Sequence, residues 1–155
     1  MAESRRPRRP DDLFADPRWE AFGLLREAYL ALSGRIDGDL AAAGAASSAI
    51  SDLVFRLART PGHALRALDI TRALHTSTTR TTRLLDEAEA GGLVERRPHP
   101  SDRRALLVVL TPAGLAEARR LGRVALDSTQ RHVHDRLSAE EVAQLEGLLR
   151  RLRDG

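Results

Sequence analysis

From Asp16 onward, apolar residues recur every three or four positions through long stretches, broken by short stretches rich in Pro, Gly, Ser and Thr. That rhythm is helical. Trp19, Phe22, Leu25, Tyr29, Leu32, Ile36 and Leu40 follow it behind Pro17, a residue suited to a first helical turn, and so long a stripe asks for a large partner surface. Ser47 or Ser48 can cap a second helix carrying Ile50, Leu53, Val54 and Leu57, which Pro61-Gly62 ends. After a turn, Leu68 to His75 gives a short third helix. The run T-S-T-T-R-T-T-R-L-L-D-E-A-E-A-G-G gives a fourth, with Leu84, Leu85 and Ala88 inward and Gly91-Gly92 as its stop. The period then changes. Leu93-Val94 and Ala105 to Leu110 are strand-like runs around a tip bearing proline and arginine, which reads as a β-hairpin with a basic tip.

Beyond the hairpin, Thr111-Pro112 opens a helix with Leu115, Ala118, Leu121 and Ala125 that is expected to reach about His132. Ser138-Ala139-Glu140-Glu141 is a capping box, and Val142, Leu145, Leu148, Leu149 and Leu152 give the last helix one apolar stripe. Two short helices joined by a tight turn and followed by a hairpin make a winged helix-turn-helix. The expected fold is thus mainly α with a small β-hairpin wing. It divides into a flexible basic arm over 1–14, an N-terminal dimerisation helix over 15–46, the DNA-binding module over 47–110, and C-terminal dimerisation helices over 111–155. The central module has its own small core, so the terminal stripes are expected to bury each other in a second copy of the chain. Folding back on the same chain is the competing reading.

Composition narrows the function. At 155 residues, 42% apolar and 30% charged, the chain suits one compact domain. The absence of cysteine excludes a disulfide framework, a thiolate metal site and a thiol switch. The basic start, M-A-E-S-R-R-P-R-R-P, leads into D-D-L-F-A-D-P, and no run of about 18 apolar residues follows, so a cytoplasmic protein without membrane contact is expected. Every basic residue is arginine, yet the formal charge is only +3. Its placement matters more than its sum. Between Leu93 and Arg104 lie Arg96, Arg97, Arg103 and Arg104 against Glu95 and Asp102, with Arg80 and Arg83 just upstream. Catalysis finds no support: His63, His75, His99, His132 and His134 are scattered, and H-E-x-x-H, P-loop, G-x-G-x-x-G and G-x-S-x-G motifs are missing. No cofactor is expected.

A recognition helix in the major groove needs short polar or basic side chains on its first turns. Ser77, Thr78, Thr79, Arg80, Thr82 and Arg83 fit. Four threonines between Thr78 and Thr82 are a poor choice for an ordinary exposed helix, since β-branching costs each a few tenths of a kcal/mol against alanine. Local capping is the competing reading for any one of them. Arg80 and Arg83, at i and i+3, can act together on guanines or phosphates. At the hairpin tip, strand alternation sends Arg103 and Arg104 in different directions. Asp102 would be repelled by phosphate, so its expected role is to pair with an arginine and orient it for the minor groove. A plain ion pair at a turn is the alternative.

S-T-T-R-T-T-R-L-L-D ahead of G-G-L-V-E-R-R, and then S-D-R-R-A-L-L-V-V-L-T-P-A-G, resembles the recognition helix and wing of the MarR family of bacterial transcriptional regulators, in order and spacing from about Ser47 to Ala118. The D-x-R of Asp102 and Arg104 followed by L-T-P-A-G is its most specific part. The resemblance implies that Arg104 is the wing arginine and Asp102 its positioning partner. Ala88 and Gly91 stand where the family often has a leucine and a long or basic residue, which implies a less firmly anchored recognition helix. The resemblance further implies a homodimeric repressor on a pseudo-palindromic double-stranded DNA operator, relieved by a small aromatic or phenolic ligand bound between the dimerisation and DNA-binding parts. Trp19, Arg26, Tyr29 and Asp52 are the pocket candidates, although Trp19 and Tyr29 also lie on the apolar stripe, where core packing competes. A winged helix serving protein or RNA contact, without ligand response, is the alternative function.

Overall fold

The computed structural model describes residues 16–99 and 102–155, with Arg103 and Arg104 as backbone only. Helix α1 (Arg18–Ala42) begins behind Pro17, where the Asp16 carboxylate accepts the Arg18 backbone N–H at 2.9 Å. Of its expected stripe only Leu40 is buried; Trp19 is 50% and Tyr29 68% exposed, and Leu24 and Leu30, which lie off the stripe, are exposed as well. Apolar residues therefore run round the upper half of α1, and that half is no part of its own chain's core. The lower half is fixed to a later helix, α5 (Pro112–Thr129), at two points. Asp39 accepts from the Ser128 hydroxyl at 2.5 Å and from Arg131 at 2.8 Å. Arg120 donates to the Ala43 carbonyl at 2.7 Å while pairing with Glu117.

The core belongs to the central module. Helix α2 (Ser48–Arg59) is capped by Ser47, whose hydroxyl accepts the Ile50 N–H at 3.2 Å, and it buries Ile50, Leu53, Val54 and Leu57. Ile70 from α3 (Ala67–Ala73), Leu84, Leu85 and Ala88 from α4 (Thr78–Ala90), and Ala118 from α5 close on that face. Helix α3 is shorter than the expected Leu68 to His75. Leu74 ends it, and His75 takes a left-handed conformation (φ +48°) that makes the tight turn into α4.

The hairpin has longer strands than the sequence suggested: β2 (Val94–His99) and β3 (Asp102–Leu110) pair antiparallel, with an irregularity between Pro98 and His99. A third strand, β1 (Ala64–Arg66), adds to the other side of β3, so the wing is a three-stranded sheet of order β1-β3-β2. Three residues are too few for an alternation to show, which is why only a turn was expected there. Proline is accommodated in β2 because β2 is an edge strand.

The L-T-P-A-G motif is the joint between wing and helix. Thr111 donates its backbone N–H to the Leu93 carbonyl at 3.0 Å and its hydroxyl to the Gly92 carbonyl at 2.7 Å, and the same hydroxyl accepts the Gly114 N–H. A side chain at Gly114 would place its Cβ 2.0 Å from the Leu93 carbonyl oxygen, so only glycine fits. Helix α5 ends at Thr129, three residues before the expected His132, and continues as a wider π-turn over Gln130–His134. The capping box at Ser138 opens α6 (Ala139–Asp154) with both reciprocal bonds present. Helix α6 buries none of its residues, and Leu145, Leu148, Leu149 and Leu152 are all exposed.

Candidate nucleic-acid interface

Helix α4 divides cleanly between two jobs. Thr81, Leu84, Leu85 and Ala88 are buried, whereas Ser77, Thr78, Thr79, Arg80, Thr82 and Arg83 are all exposed. The structure therefore brings the six expected contact residues to one end of one helix. The threonines do not all do the same thing. Thr81 is 2% exposed, and its hydroxyl meets that of Thr71 on α3 at 3.0 Å, a polar bond inside the helix-turn-helix joint. Ser77 caps the helix by accepting the Arg80 N–H, and the Thr82 hydroxyl donates back to the Thr78 carbonyl at 3.0 Å. Local hydrogen bonding thus explains part of the Ser/Thr cluster. Thr78 and Thr79 point outward beside Arg83. Among the described residues neither Arg80 nor Arg83 has an ion-pair partner, so both cations are available to an anion.

The hairpin arginines behave differently. Arg96 pairs with Asp86 at 2.6 Å and Glu89 at 3.4 Å on α4, and Arg97 pairs with Glu95. Two of the four basic residues counted at the hairpin, Arg96 and Arg97, are therefore paired with carboxylates within the protein, and Arg103 and Arg104 are the other two. Their backbone lies in β3, and their side chains are outside the described residues. Asp102 faces His99 across the tip. Arg96 was the residue missed: Asp86 and Glu89 one turn apart on α4, ahead of a strand arginine, were its signal. Its clamp, together with full burial of Ala88, anchors the recognition helix where the sequence suggested looseness.

The four pocket candidates are separated. Tyr29 and Asp52 line one cleft of about 460 Å³ with Arg56, Arg59 and His75, while Trp19 and Arg26 are not among its lining residues. Asp52 also lines a neighbouring cleft of about 290 Å³ with His75, Thr76 and Arg80. Burial and the nearby Asp37 raise the Asp52 carboxyl above its ordinary range, against the pull of Arg56. Among the described residues no cluster of three or more His, Asp or Glu could hold a metal ion, and no helix is long and apolar enough to cross a membrane.

A sequence model of the MarR family matches residues 48–105, the stretch that holds α2, the helix-turn-helix joint, the recognition helix and most of the wing. That central stretch is similar to the MarR family. The multiple antibiotic resistance protein MarR of Escherichia coli K12, and its counterpart in Salmonella typhimurium, are 38% identical over 71 residues, 46% of this chain and 49% of theirs. The chain thus spans about half the length of the curated relatives it matches. Solved structures extend the likeness. AbsC, a MarR family transcriptional regulator from Streptomyces coelicolor, superposes with a TM-score of 0.80 at 26% identity, over 90% of this chain and 94% of its own. Sco3205 from the same organism, solved in complex with DNA, gives 0.77 at 25% identity over 89% and 88%. A mutant E. coli MarR complexed with operator DNA gives 0.76 at 26% over 92% and 99%. The mainly helical fold with a small antiparallel wing is that of these MarR-family structures.

Proposed function

We propose that this protein is a MarR-family DNA-binding transcriptional regulator acting as a homodimeric repressor of nearby genes. The observation that carries the reading is the division of α4, whose apolar residues and Thr81 are buried while Thr78, Thr79, Arg80, Thr82 and Arg83 face outward, the two arginines without an ion-pair partner among the described residues. That face has the length and chemistry to meet base edges and phosphates in a major groove. Asp102 and Arg104 at the wing extend the contact toward the adjacent minor groove, an assignment supported by their match to the family motif and by the place of their backbone in β3. The solved DNA complexes of Sco3205 and MarR support the same use of this fold. The dimer is supported by the apolar residues that α1 and α6 leave exposed, which a second copy would cover. Relief by a small aromatic or phenolic ligand is supported by the clefts around Asp52, His75 and Arg80, which adjoin the base of the recognition helix.

Fluorescence anisotropy on the DNA upstream of the protein's own gene tests this. Wild-type protein should bind it far more tightly than a random duplex of equal length. Arg104→Ala should weaken binding and lower the slope of log K against log salt by about one, and Arg83→Ala should do either that or change the preferred sequence. Equal affinity for the upstream and random duplexes, or an Arg104→Ala variant of unchanged affinity, would overturn the respective assignment.

A further inference from the structure

We infer that Arg96 is a positioning residue that fixes the wing against the recognition helix, so that DNA affinity depends on it although its guanidinium faces the protein. Val94 and Arg96 stand on the same face of β2, since strand residues two apart point the same way, and Val94 is buried in the core. Arg96 is thereby aimed at α4. Its guanidinium meets the Asp86 carboxylate at 2.6 Å, the Thr82 carbonyl at 3.3 Å and the Glu89 carboxylate at 3.4 Å. Its backbone N–H donates to the second Glu89 oxygen at 3.0 Å. Thr82, Asp86 and Glu89 lie at i, i+4 and i+7, one stripe of α4 from the recognition face to the last turn. One side chain therefore spans two turns of the recognition helix from the strand that carries the wing.

The side chain of Arg96 is only 24% exposed while Asp86 is 58% and Glu89 40% exposed, so the arginine is held by directional charge-assisted bonds to partners that remain partly hydrated. A lysine ammonium is a compact point charge and lacks the planar fork that spans acceptors spread over two turns. The clamp also offsets one of the two negative charges that Asp86 and Glu89 bring to α4. It bonds the Thr82 carbonyl within the same turn that presents Thr79 and Arg83. The wing and the groove-facing turn consequently move as one body.

This inference rests on the DNA-binding reading, and its test separates the two. In Arg96→Gln the upstream DNA should bind roughly tenfold more weakly at fixed salt, with the slope of log K against log salt unchanged. A slope lowered by about one would make Arg96 a phosphate contact, and an unchanged affinity would make it structural only; each overturns the proposal. Asp86→Asn, at an exposed site that leaves the fold intact, removes a negative charge near the DNA. Positioning predicts weaker binding and a charge effect alone predicts tighter binding, so tighter binding refutes the inference. Arg96→Lys should recover part of the loss. In the free protein, amide exchange should rise together in residues 85–90 and 94–98 of Arg96→Gln, and a rise confined to one segment would show that the two are not coupled through this residue. Wild-type protein that binds none of the upstream DNA refutes the regulator reading itself, whereas wild-type binding with an unaffected Arg96→Gln variant refutes only the positioning role.

Discussion

Replacing Gly114 with alanine adds one methyl group at the most crowded point of the chain. The new Cβ would stand 2.0 Å from the Leu93 carbonyl oxygen, 2.8 Å from Leu110 Cδ1 and 2.9 Å from the Leu93 carbonyl carbon, so the wing base and α5 must separate by about 1 Å. The Leu93 oxygen is also the acceptor for the Thr111 N–H and lies 3.2 Å from the Thr111 hydroxyl. Losing those two bonds costs about 2 kcal/mol, overpacking adds roughly 1–3 kcal/mol, and the better helix propensity of alanine returns up to ~1 kcal/mol. The net is a loss of about 2–4 kcal/mol, which for a chain of this length lowers Tm by roughly 5–15 °C. Circular dichroism melts at one protomer concentration measure this without confusion from any dimer equilibrium. Gly122→Ala is the internal control. Its Cβ would lie 4.0 Å from Phe55, an ordinary contact, so the same substitution one helix face away should raise Tm by a degree or two. A Gly114→Ala melt within about 2 °C of wild type, or below-wild-type stability in Gly122→Ala with Gly114→Ala unaffected, would refute the assignment of the L-T-P-A-G motif to close packing.

Thr81→Val keeps the shape of a buried side chain but removes its bond to Thr71, and should cost about 1 kcal/mol in chemical denaturation; a larger loss in Thr82→Val than in Thr81→Val would contradict the division of α4. The Ser128 hydroxyl, more than Arg131, holds Asp39 below the ordinary carboxylate range against the opposing effect of burial. A depressed folded value stabilises the protein above the unfolded carboxylate value of about 3.9 and is lost as pH falls through the folded value. Asp39→Asn should therefore melt below wild type near neutral pH, with the gap closing as pH falls below about 4, and a gap independent of pH would sink the explanation. A chain ending before Ser138 lacks the exposed leucines of α6 and should sediment mainly as a monomer; a dimer of unchanged affinity would place the interface elsewhere.

The helices were legible because each carries its own punctuation. Ser47, Thr111 and Ser138 cap as their spacing suggests, Ser77 caps α4 where the sequence suggests only a groove contact, and Pro17, Pro112 and Gly91 stand where helices begin or end. What escaped is non-local. The strand β1 is too short to show a period and exists only because β3 offers it an edge at Leu107 to Val109. The burial of Thr81 depends on Thr71, ten residues away across the turn, and the inward role of Arg96 depends on carboxylates on another element. The exposed upper half of α1 was read as a single stripe because spacing alone cannot say that no core lies opposite it.

Helix α5 gives the molecule a lever. Its first turns hold Gly114 and Ala118 in the central core, and its last turn holds Ser128 against Asp39 of α1. Eighteen residues of α-helix make a rod of about 27 Å, so a tilt of roughly 10° at the Asp39 end displaces the Thr111 end by about 5 Å. In the proposed dimer, two such modules would have to match half-sites about 34 Å apart. An error of that size at each end would put the two copies of α4 out of step with the groove, so in that dimer small angular changes at α1 would decide whether DNA is held.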